Sequence, residues 1–174
     1  MVAELLATEL TRYAEAKIRQ NLTQILRCAR VLDEQQIWQR ANEHTNSVGN
    51  LMLHLAGNVR QWVVSGLGGE RCSRDRPSEF AARGGISTAE LSARLQQAVD
   101  DALAMLGRLD GGGLTAEYSI QGYDVSGVVV VCHVTEHFSW HTGQIVQTTK
   151  ALTGAELDLY DSAGHKPPEL GAFP

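Results

Sequence analysis

A chain of 174 residues, 43% hydrophobic and 20% charged, can bury a core of its own and fits one domain over residues 1–174. A formal net charge of −5 argues against a general phosphate-binding surface, so no nucleic-acid partner is expected. Three cysteines without CxxC spacing argue against a disulfide framework or a thiolate zinc site, and no apolar run is long enough to span a membrane. With acidic residues in the opening MVAELLATEL, no secretion signal is read, and a cytoplasmic protein without membrane partners is expected.

Ile18, Leu22, Ile25, Ala29 and Leu32 recur at helical spacing and predict a first helix over about residues 3–31. NEHTNSVGNL then offers turn formers and a cap at Asn46 or Ser47. Val48, Leu51, Met52, Leu55, Val59, Trp62 and Val63 carry a second helix to Gly66. Residues 66–86 show no clean periodicity and predict a connection of about twenty residues, against the usual 2–8 between neighbouring antiparallel helices, so it is read as a crossover along a bundle. Within it Arg71, Arg74 and Arg76 alternate with Glu70, Asp75 and Glu79, a pattern read as a solvated loop. STAEL predicts a capping box of Ser87 and Glu90 at the start of a third helix, which runs through Leu91, Leu95, Ala98, Ala102, Leu106 and Leu109 and stops at Gly111–Gly113. LTAEYSIQGYDV is read as a second loop. GVVVV looks strand-like, yet Val128, Val131, Thr135, Phe138, Thr142, Ile145, Thr149 and Leu152 keep a 3–4 spacing that only a helix presents on one side, predicting a fourth helix over about 126–152. An irregular tail follows over 154–174. Four long helices with one long connection describe an all-α four-helix bundle.

The fourth helix contains HVTEHFSWHTGQI, with His133, His137 and His141 four residues apart. Neighbours at this spacing share a face and lie about 6 Å apart along the axis, so two can converge on one ion; the outer pair, about 12 Å apart, cannot. A third ligand must come from another helix, and His54 in the second helix is available, on a polar strip with Ser47, Asn50, Asn58 and Gln61. The strip is either a solvated edge or the wall of a polar cavity. By depth, His137 and His141 straddle the level of His54, whereas His133 sits about 9 Å from the midpoint of its helix. Buried, hydrogen-bonded core imidazoles remain the alternative reading of the same spacing.

The blocks NSVGNLMLHLAGNVRQWV and IQGYDVSGVVVVCHVTEHFSWHTGQI, with the linker DRPSEF between them, resemble the DinB/YfiT-like metalloenzyme family over nearly the whole chain. The resemblance implies an up-down-down-up order of four helices, a metal triad of His54, His137 and His141, and a homodimer. Relatives in that family include thiol S-transferases and a thiol-dependent isomerase. By that resemblance the expected activity joins a small thiol to a small electrophilic substrate, with a low-molecular-weight thiol as cosubstrate. Three imidazoles leave coordination positions free, as in catalytic sites; zinc or nickel is the expected ion, with iron and copper as alternatives. A hydrolase using metal-activated water and a non-catalytic metal-binding bundle are the competing functions.

Around the triad, Asn50 and Asn58 lie one turn either side of His54, and Gln144 lies one turn beyond His141; each is a candidate to orient a ligand or line the pocket, with an inter-helix hydrogen bond as the equal alternative for Gln144. His133 is expected outside the coordination sphere, in packing, hydrogen bonding or the cavity rim. Glu136 points about 100° away from His137 and reads as a surface group or a support for a ligand rather than a general base. Trp62 and Trp140 read as packing residues and Cys132 as a buried small apolar one, while Tyr118 and Tyr123 stand in the loop before the fourth helix, where spacing does not fix their place.

Overall fold

A computed structural model of the chain describes residues 2–167, which are mostly helical, at 66% helix. Helix α1 spans Val2–Val31 and buries Ala7, Ala14, Ile18, Leu22, Ile25 and Ala29 on one face. A single 3₁₀ turn, Gln36–Trp38, leads to α2, Val48–Val59. Ser47 and Asn50 begin α2 with a reciprocal cap: the Ser47 hydroxyl accepts from the Asn50 N–H at 3.1 Å, and Asn50 Oδ1 accepts from the Ser47 N–H at 3.2 Å. The helix then widens into a π-helical segment, Arg60–Leu67, which ends where Gly69 turns to φ 73°.

Short helix α3, Arg76–Ala81, lies inside the stretch read as an aperiodic crossover. Asp75 caps it by accepting from the Ser78 N–H, and Pro77 fits its first turn, where no N–H partner is needed. Helix α4, Thr88–Leu106, begins at Ser87 as expected, but only half of the capping box forms: Glu90 pairs with Arg94 at 2.5 Å. It ends a residue before Gly107, short of the expected Leu109. The triglycine helps to form the single turn α5, Gly111–Thr115, because Asp110 accepts from the Gly113 N–H at 2.7 Å and Glu4 from the Gly111 N–H at 3.2 Å. The following stretch, expected as loop, forms an antiparallel pair, β1 (Glu117–Ile120) with β2 (Tyr123–Ser126). Its two turn residues, Gln121 and Gly122, both take positive φ, 55° and 81°, as a two-residue hairpin turn of this hand requires. Helix α6, Gly127–Thr153, is capped by Ser126 and stopped by Gly154 at φ 65°. Residues 154–167 are irregular, and the rest of the expected tail, 168–174, lies outside the described residues.

The four long helices enclose the core: α1 packs on α6 and α4, and α2 packs on α4 and α6. Ile18, Ile25, Leu55, Leu95, Val131 and Phe138 meet there, each nearly inaccessible to solvent, and each contributes about 1.5–3 kcal/mol by leaving water. Contacts at the helix ends tie particular termini together. The Thr88 N–H donates to the Glu34 carboxylate at 3.0 Å, Arg60 pairs with Asp101 at 2.6 Å, and Arg27 donates to the Leu157 carbonyl at 3.0 Å. On α6 the buried stripe runs through Val130, Val131, Val134 and Phe138, leaving Val128 and Val129 partly exposed, and Trp140, expected in packing, is 67% exposed. No helix among the described residues is long and apolar enough to cross a membrane.

Candidate functional site

Where α2 faces α6, His54, His137 and His141 come together, with one ring nitrogen of each lying within 4.8 Å of the others. The pair on α6 meets at 4.5 Å between ring centroids, and His54 sits 5.0 Å from each of them. His54 is buried, whereas His137 and His141 on α6 are half-buried. The Nε2 atoms of His54 and His137 are 2.9 Å apart. Two nitrogens bound to one ion at about 2.0–2.1 Å would stand about 3.0–3.4 Å apart, so this pair needs only a small adjustment to share one. The residues fit a metal ion: the group can offer three neutral nitrogen donors and no competing carboxylate.

The protonation states favour lone pairs. Burial, reinforced by the nearby His141, His54 and His133, lowers the pKa of His137 to about 3, and burial also lowers that of His141, against a hydrogen bond to Gln144 that raises it. That bond joins His141 Nδ1 to Gln144 Oε1 at 2.6 Å, fixing which nitrogen of His141 carries hydrogen. Beside Gln144 opens a cavity of about 630 Å³ walled by Asn46, Leu51, Trp140 and Gly143.

Behind His54 lies an ion pair that sequence reading placed in a solvated loop. The Arg74 and Glu79 side chains are only 5% and 10% exposed; Arg74 Nε donates to Glu79 Oε1 at 2.6 Å and Nη2 to Oε2 at 2.8 Å. Glu79 Oε2 is also 3.0 Å from His54 Nδ1. Burial raises the Glu79 pKa, but the bonds from Arg74 and His54 outweigh it and leave the carboxyl below its ordinary value. The Arg74 guanidinium reaches on to Gln61 Oε1 at 2.8 Å, which also accepts from Gln121 at the hairpin turn at 2.6 Å. The available signal was Asp75 followed by Pro77: a cap and a first-turn proline mark a helix start, and one short turn swings Glu79 inward.

The remaining candidates divide. Asn50 is buried; its amide holds α3 by donating to the carbonyls of Glu79 at 2.8 Å and Ala82 at 2.9 Å, while its oxygen accepts from Arg40. Asn58 is buried one turn beyond His54. His133 is outside the three-ring group, packed between Trp62, tilted against it 4.1 Å away, and His137, 5.3 Å away, with its Nε2 buried and without a partner among the described residues. Burial lowers its pKa, and Glu136 partly opposes this. Cys132, expected to be buried, is exposed, because its position on α6 faces away from the bundle. The Tyr118 hydroxyl is committed to the Gly113 carbonyl at 3.0 Å, and Tyr123 is exposed.

The family model described as "Protein of unknown function (DUF1572)" matches residues 6–161. Among solved structures, a DinB-like protein from Bacillus cereus ATCC 10987 is similar with a TM-score of 0.62 at 13% identity, over 79% of this chain and 88% of that one. A conserved protein from Enterococcus faecalis is similar with a TM-score of 0.64 at 17% identity, over 87% of this chain and 97% of that one. At these identities the likeness is one of fold. No curated protein matches the chain.

Proposed function

The chain belongs to the DUF1572 family, a DinB-type family, and from that premise we propose that it holds a divalent metal ion through His54, His137 and His141 and acts on a small thiol. The observation that carries the reading is the convergence of three imidazole nitrogens from two helices within 4.8 Å, with the two from α6 half-buried. Imidazole donors suit zinc, nickel, copper and iron alike, and of these zinc or nickel is the ion proposed. A bound ion would supply Lewis acidity to lower the pKa of a thiol or a water. The chain's own residues bind and orient: Gln144 fixes the ring of His141, and the cavity beside it offers an indole face at Trp140 and amides at Asn46 and Gln144 to a small electrophilic substrate.

The up-down-down-up order of α1, α2, α4 and α6 belongs to the same reading. It is supported by the approach of the α1 end to the α4 start at Glu34–Thr88, of the α2 end to the α4 end at Arg60–Asp101, and of the α1 end to the segment after α6 at Arg27–Leu157. A homodimer would cover Val128, Val129 and Trp140 on the outer face of α6, and three free cysteines suit a reducing, cytoplasmic setting. Elemental analysis of protein purified without a metal-affinity column tests the ion. A panel of thiols and electrophiles, read for conjugate and for hydrolysis product, tests the chemistry. Conjugate formed only with metal and thiol together supports the proposal, and hydrolysis without thiol replaces it with a hydrolase.

A further inference from the structure

The Nδ1 of His54 faces two groups of opposite kind: Glu79 Oε2 at 3.0 Å, which only accepts, and Arg74 Nη2 at 3.0 Å, which only donates. The neutral imidazole must satisfy one of them. Arg74 Nη2 already donates to Glu79 Oε2 and leans toward the His54 carbonyl at 3.4 Å, so its hydrogens have other acceptors. The Glu79 carboxylate, gripped at both oxygens by Arg74, can take a hydrogen from His54 in addition to those from Arg74. We propose that Glu79, clamped by Arg74, is a positioning residue that keeps His54 in its Nδ1–H form and so presents a bare Nε2 to His137 and His141.

The surroundings are shaped for this pair. Gly57, one turn after His54 on α2, has no side chain, and a Cβ there would collide with Glu79 Oε1 and stand 2.8 Å from Arg74 Nε. Asn50 holds the backbone of Glu79 and Ala82, Arg40 holds the Phe80 carbonyl at 2.8 Å, and the Phe80 ring lies 4.7 Å from that of His54. The segment around α3 is thus pinned at several points around one imidazole. A carboxylate that accepts from a ligating imidazole fixes its tautomer and raises its basicity, and losing such a partner weakens metal binding about 10–100-fold. The affinity part of this inference rests on the proposed metal site; the tautomer part does not.

The test uses nitrogen-15 NMR of the histidine rings in metal-free protein, together with zinc dissociation constants from competition with a chromophoric chelator. Wild type should show His54 with hydrogen on Nδ1 and none on Nε2. In Glu79→Gln, Arg74 claims the amide oxygen and leaves an NH₂ facing His54, so the hydrogen should move to Nε2 and zinc binding should weaken about 10–100-fold. Gly57→Ala, which pushes on the facing Glu79 and Arg74 side-chain ends without altering either residue, should act in the same direction, and Glu79→Asp should recover part of the loss. Hydrogen found on Nε2 in wild type, or an unchanged tautomer and affinity in both Glu79→Gln and Gly57→Ala, overturns the inference. Wild type that binds no zinc but shows the tautomer and its shift in Glu79→Gln refutes the metal reading while the positioning role stands.

Discussion

Trp62 covers His133 with 4.1 Å between ring centroids, and neither Trp62 Nε1 nor His133 Nε2, both buried, has a hydrogen-bond partner among the described residues. His133 is held by its flat surface, and its nitrogen contributes nothing to the fold that a carbon could not. His133→Phe is therefore expected to bind metal like wild type and to be at least as stable, since an unsatisfied polar atom is removed. His133→Ala should keep near-stoichiometric metal while losing about 1–3 kcal/mol of stability through lost packing. Elemental analysis after dialysis, paired with thermal denaturation, checks both; loss of metal in the phenylalanine variant would mean that His133 is a ligand.

Replacing His54, His137 or His141 singly by alanine should each remove most of the bound metal. His54→Ala should also lower stability more than His141→Ala, because His54 is buried and its loss leaves Glu79 with only Arg74. Metal content of each purified variant, with melting of the metal-free forms, separates the two effects. A variant of the three that retains stoichiometric metal would move the site.

The parts of the fold legible in the sequence were those written in local periodicity. Ser47 before Val48, Leu51 and Leu55 announced α2, and the 3–4 spacing through Phe138 and Thr142 overrode the strand-like valines of α6. Depth along two helices was enough to bring His54 level with His137 and His141. The hairpin escaped because its strands are four residues long and its turn is Gln121–Gly122 rather than an asparagine or aspartate before glycine. Arg74 and Glu79 escaped for another reason: nothing local distinguishes a salt bridge in water from one folded against a buried imidazole, and only the tertiary path of the linker, made possible at Gly57, decides it. Cys132 and Trp140 were misplaced because α6 is apolar beyond the face it buries.

Acid should destabilise the metal-free protein well before its carboxylates are protonated. His137 takes up a proton near its ordinary 6.5 once unfolded, but only at about 3 in the fold. Between those values the unfolded chain binds more protons, so the stability is complete above about pH 6.5 and falls steadily toward pH 3. His133 and His141, lowered in the same direction by burial, add to the slope. Urea midpoints of chelator-treated protein should fall as pH is lowered through this window, and His137→Phe should flatten the dependence. A midpoint that rises on acidification would contradict the buried neutral state.

Two glycines on α6 should respond oppositely to alanine. At Gly127 a Cβ would strike the Gly113 carbonyl oxygen and stand 2.9 Å from Leu114 Cα, both backbone atoms that cannot rotate away, so Gly127→Ala should cost about 1–3 kcal/mol. Apart from its own helix backbone, no atom of the described residues lies within 4 Å of a Cβ at Gly143, and Gly143→Ala should be neutral or stabilise by up to about 1 kcal/mol through helix propensity. Chemical denaturation of the pair distinguishes them, and equal effects would refute the close approach of α6 to α5.

The contact between His54 and His137 joins residues 83 positions apart. During synthesis the α2–α3 part of the site, with Arg74 and Glu79 beside His54, leaves the ribosome long before the helix that supplies the other two imidazoles. Pairings this distant in sequence form late, since the intervening chain must first give up its freedom. The growing chain therefore offers a passing ion one ring until α6 is made, and at most the two on α6 until that helix docks against α1 and α2, so that loading of all three rings would report completion of the fold rather than guide its early steps.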